Sequence, residues 1–84
     1  MDAVEIDRKK NTVLVKLNTR FYRLDSILKV AQEFSAVCKV NVEGDVENSV
    51  QVKLKPRTKD AKINEIGFEF LNHVLAEMKI GEDA

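Results

Sequence analysis

Hydrophobic positions in this chain fall into two rhythms, one of period two and one of three to four. The longest helical rhythm is Ala61 to Lys79, AKINEIGFEFLNHVLAEMK, where Ile63, Ile66, Gly67, Phe70, Leu71, Val74, Leu75 and Met78 share one face. Glu65, Glu69, Asn72, His73 and Ala76 fall on the other. A face of that length and apolarity needs a cover, so the rest of the chain is organised around it. A second helix is predicted from about Arg23 to Val37, with Leu24, Ile27, Leu28, Ala31 and Phe34 at helical spacing and Asp25 favouring its first turn. Phe21 or Tyr22 is placed to staple its entry.

Alternation marks the strands. Thr12 to Asn18 sets Val13, Val15 and Leu17 against Thr12, Leu14 and Lys16, and Ala3 to Asp7 precedes it across the polar turn Arg8-Lys9-Lys10-Asn11. Val37 to Glu43 turns Cys38, Val40 and Val42 inward; Ser49 to Lys55 does the same with Val50, Val52 and Leu54. Gly44 to Asn48 joins these two as a hairpin loop. Pro56 is expected to stop the ladder, Asp60 to cap the last helix and Gly81 to close it. The order is β-β-α-β-β-α. It predicts one α+β domain over residues 1–84: a two-layer sandwich of a small, mainly antiparallel three- to four-stranded sheet with two helices on one face.

Length and charge narrow the function. At 84 residues the core is modest. Fourteen basic residues balance fourteen acidic ones, which argues against a dedicated DNA binder but leaves room for a local basic patch. The one cysteine, Cys38, has no partner for an internal disulfide and fits a reducing, cytoplasmic setting. No run of eighteen apolar residues predicts a membrane span, and MDAVEIDRKK lacks the apolar stretch of a signal peptide.

Catalytic chemistry finds little to work with. His73, the one histidine, lies off the apolar face, where Glu69 and Glu77 are surface neighbours. Cys38 reads as a buried structural thiol, because reactive thiolates need exposed electropositive sites. The two together fall short of the four ligands of a structural zinc site. There is no glycine-rich phosphate loop and no nucleophile elbow. An enzyme is not expected, nor a metal or cofactor.

Two surfaces carry binding expectations. Leu14, Phe68 and Leu75, with Ile80, form an apolar margin suited to a protein or peptide partner or a homodimer. Lys53 and Lys55 share the outer face of one strand and Arg57 and Lys59 follow, an alternative nucleic-acid site; Arg8, Lys9 and Lys10 are assigned elsewhere. Stacking aromatics are absent from all the strands, which weakens that alternative.

Several short runs resemble the HxsD-like family. They are Phe21-Tyr22-Arg23-Leu24-Asp25-Ser26-Ile27 at the entry of the first helix, Leu54-Lys55-Pro56-Arg57 after the hairpin, and Ile66-Gly67-Phe68-Glu69-Phe70-Leu71-Asn72 in the last helix. Arg23 departs from the proline often found there. The family belongs to a system of radical S-adenosylmethionine enzymes and a peptide of His-Xaa-Ser repeats. The resemblance implies a non-catalytic accessory or adaptor for peptide modification, and it carries over no active-site residue.

Overall fold

A computed structural model describes residues 4–45, 47–59 and 62–83. The elements are β1 (Val4–Asp7), β2 (Thr12–Asn18), α1 (Leu24–Phe34), β3 (Cys38–Asp45), β4 (Ser49–Pro56) and α2 (Ile63–Asp83). One antiparallel sheet runs in the order β1-β2-β4-β3, with both helices on one face, so the α+β sandwich is as its alternation predicts. The two hairpins join through their second strands, and β1 and β3 are left as the sheet's edges.

The register explains the core. Val13 stands opposite Leu54, Val15 opposite Val52 and Leu17 opposite Val50, so the inward sets of β2 and β4 lie side by side. Ile27, Val30, Ala31 and Phe34 of α1 and Phe70 and Val74 of α2 close over them. The Phe34 and Phe70 rings meet edge to face at 5.2 Å and join the two helices. Lys29 and Glu77 add an ion pair of 2.7 Å between α1 and α2 at the surface, where such pairs contribute little.

Gly67 sets how low α2 rides. A Cβ there would lie 2.6 Å from Cγ1 of Val4 and 2.9 Å from Cγ1 of Val13. Only a residue without a side chain lets the helix backbone come that close to β1 and β2.

Boundaries differ from expectation in instructive ways. α1 ends at Phe34, not Val37, since residues 35–37 must turn the chain into β3. Arg57 holds that turn: its Nε and Nη2 donate to the Ser35 carbonyl at 3.3 and 3.0 Å, and its backbone N–H donates to the Val37 carbonyl. Pro56 is the last residue of β4, opposite Cys38, and does not lie beyond the ladder. β3 continues through Gly44 to Asp45, because Gly44 takes φ of 114° and remains paired with Val50. Gly81 does not close α2; the helix runs on to Asp83, and among the described glycines only Gly44 has positive φ. The expected cap, Asp60, lies outside the described residues.

The turn after β3 is organised by a carboxylate. Asp45 accepts from the Glu47 N–H at 2.9 Å and from Asn48 Nδ2 at 2.7 Å. These bonds favour the charged form, the backbone N–H of Glu47 most, and hold the Asp45 carboxyl below its ordinary range. The depressed folded value means that this stabilisation is complete above the unfolded-state value of about 3.9 and is lost as pH falls through the lower folded one. An NMR titration of the Asp45 carboxyl carbon should therefore give a midpoint below about 3.9. In Asp45→Asn the turn should lose this acid dependence. A midpoint at or above the ordinary value contradicts the turn geometry.

Candidate interaction surfaces

The groups that could do covalent chemistry are dispersed. Cys38 is buried, and burial pushes its thiol pKa up, against a smaller lowering by Arg57. That favours the thiol over the reactive thiolate. His73 is exposed on α2 with its ring 5.3 Å from that of Phe34, an edge contact. A cleft of about 460 Å³ opens beside Cys38, Pro56 and Ile66, rimmed by Arg57, Glu65 and Glu69. Arg57, its strongest donor, is already committed to the Ser35 carbonyl. Among the described residues, no three of His, Cys, Asp and Glu converge as metal ligands. No described helix is long and apolar enough to cross a membrane.

The expected apolar margin is not one surface. Leu14 points to the open face of the sheet, opposite Lys53 on β4 and Glu5 on β1. Phe68 and Leu75 lie on α2, 57% and 50% exposed, on the other side of the molecule. Their helical positions turn them away from α1, which α2 meets through Phe70, His73 and Glu77. Leu75 thus leaves the buried stripe that its spacing assigns it to, because the stripe is only as wide as β1 and β2 beneath it.

The basic residues regroup as well. Arg57 is fastened to the α1–β3 turn, and Lys59 sits in the exposed segment beyond Pro56. Neither joins Lys53 and Lys55. Those two meet Lys39 of β3 and Lys9 and Lys10 of the β1–β2 turn around a shallow depression on the open face. Asn11, with φ of 54°, and an Asp7 carboxylate accepting the Lys10 N–H at 3.2 Å shape that turn.

The edges of the sheet differ. β1 is four residues long, and a short edge offers little to pair with. β3 is eight residues long, contains no proline and, among the described residues, has no strand on its outer side. Val40 and Val42 project from β3 toward the helix side. Val40 is half-buried and Val42 is 37% exposed, since α1 covers the strand incompletely. Leu28 of α1, predicted as core, is 47% exposed on the flank turned away from α2. A long free edge bordered by apolar side chains is what an added strand needs: main-chain partners for affinity and apolar contacts for selectivity.

No family model, no curated protein and no solved structure matches this chain.

Proposed function

We propose that this protein is a non-catalytic peptide-binding module, an adaptor that takes an extended segment of a partner protein as a fifth strand along β3. The observation that carries the reading is the eight-residue β3 edge, unpaired on its outer side among the described residues, with Val40 and Val42 on its helix side and Leu28 exposed on α1, the helix that packs on β3. Native sheets usually shield edges of this length, because unpaired N–H and C=O groups recruit other strands. Among the described residues neither proline nor a covering helix does so, and the charges of β3 are Lys39, Glu43 and Asp45. The ligand is an extended peptide with apolar residues at alternate positions, matched to the pleat of β3. The resemblance to the HxsD-like family, whose small members accompany peptide-modifying enzymes, supports a peptide as the partner. The unpaired, buried Cys38 supports a reducing cytoplasm as the place of action.

Selection of displayed random peptides on the protein tests this. Enriched sequences should show apolar residues two apart. Leu28→Lys and Val42→Lys should weaken their binding at least tenfold, while the melting transition moves little because both positions are partly exposed. Peptides whose binding survives both changes but is lost in Phe68→Ser/Leu75→Ser would move the site to α2 and overturn the strand-addition reading.

A second reading has its own support. About Asn41, β3 is complementary to an antiparallel copy of itself: Lys39 would face Glu43 of the copy, and Val40 would face Val42. Light scattering should show a monomer if the edge serves a peptide. A dimer dissociated by Val42→Lys would assign the edge to a second copy instead.

A further inference from the structure

The open face of the sheet is a second site, on the side opposite Val40 and Val42. Five lysines, Lys9, Lys10, Lys39, Lys53 and Lys55, converge on it from three separate parts of the chain. Among the described residues none of the five forms an ion pair; the three pairs present use Lys16, Arg23 and Lys29. Lys39 and Lys55 stand directly opposite each other in the β3–β4 register. Like charges opposed across a sheet are destabilising, so the arrangement works against the fold unless an anion neutralises it. Acidic side chains lie to one side of the cluster: Glu5, Asp7 and Glu43 line the adjoining depression, which shares Lys9, Lys10 and Lys53.

We infer that this face binds the phosphate backbone of a single-stranded nucleic acid. Several features together favour that ligand among polyanions. Around Lys53 and Lys55 the main-chain groups of β4 and of Thr12–Val15 in β2 are taken up by pairing, so this part of the face offers side chains to a ligand. Lysine is a point-charge phosphate ligand that needs no fixed fork geometry. Same-face lysines along β4 stand about 6.7 Å apart and Lys39 about 4.8 Å to the side, a track suited to successive phosphates. Thr12 and Asn41, in the same depression, supply neutral hydrogen-bonding groups for sugar and phosphate oxygens. Leu14, beside Lys53, gives an apolar spot for a base. The face carries no aromatic ring, so the binding is governed by charge and indifferent to sequence.

Fluorescence anisotropy with a labelled mixed-sequence single-stranded RNA tests the assignment. Binding should weaken with salt. Lys39→Gln/Lys53→Gln/Lys55→Gln should make the slope of log affinity against log salt shallower by about 2, at about 0.7 per phosphate contact. Its thermal transition should be unchanged or raised, since the Lys39–Lys55 repulsion is removed. Lys59→Gln/Lys62→Gln should leave affinity and slope intact. The inference is overturned by absent RNA binding at low salt, by a slope indifferent to the triple change, or by equal lysine-dependent binding of poly-glutamate or anionic vesicles.

Discussion

Phe70→Ala should remove a large share of the protein's stability. Phe70 is fully buried and joins α2 to α1 through its edge contact with Phe34. Truncating a buried phenylalanine destabilises by about 3–5 kcal/mol, from lost transfer energy and the cavity left behind. A domain of 84 residues has a total stability on the order of 4–12 kcal/mol. One side chain thus carries a large share of the whole. Urea denaturation followed by circular dichroism measures it: the midpoint should fall steeply or the folded baseline should vanish. A loss under about 1 kcal/mol would mean that α2 does not seat on the core as described. The phenylalanine two positions earlier behaves differently. Phe68 is 57% exposed, and Phe68→Ala should change stability little.

Gly67→Ala should destabilise, against the usual trend for a glycine inside a helix. At an ordinary helical site that change is worth about 1 kcal/mol of added stability. Here the new methyl would meet Val4 at 2.6 Å and Val13 at 2.9 Å. Both contacts are methyl groups of β-branched side chains with little freedom to rotate aside. Val13 is locked in the core, whereas Val4 belongs to the short edge strand β1. Overpacking of this kind costs about 1–3 kcal/mol, so a net loss of about 1 kcal/mol is expected. In a Val4→Ala background the same change should cost less, a coupling that a double-mutant cycle isolates. If Gly67→Ala stabilises in the wild-type background, α2 rides higher on the sheet than the structure places it.

These two positions also show what the sequence makes legible. The alternation at residues 13, 15, 17 and at 50, 52, 54 names the sheet's contribution to the core, because side-chain direction in a strand is a local property. Phe70 and Val74 are found the same way from helical spacing. Residues at the margins of the helical stripes are not. Leu28 and Leu75 fit the spacing as well as their buried neighbours do, yet each falls past the strip that the sheet covers. The width of that strip depends on where the helices lie, which is a tertiary fact.

The candidate sites are less legible still, for the same reason. Val40 and Val42 alternate as Val50 and Val52 do, and nothing local marks the first pair as belonging to an edge. Strand order decides it, through the β2–β4 pairing. That pairing also brings Lys9 and Lys10 to Lys53 and Lys55, more than forty positions away in the chain. Arg57 follows Lys55 by two residues, and the apparent continuity of charge is broken because its guanidinium is bound to the Ser35 carbonyl. Charge in sequence is a poor guide to charge on a face when one member of the run serves the backbone.

The measurement closest to the central claim is a set of amide NMR spectra of the protein, with hydrogen exchange, before and after addition of a peptide enriched by selection. If β3 accepts the peptide as a strand, shifts should be confined to Cys38–Asp45 and the part of α1 around Leu28. Alternate β3 amides, those that point away from β4, should pass from fast to slow exchange. Shifts centred on Phe68 and Leu75, with the β3 amides still exchanging freely, would contradict the account.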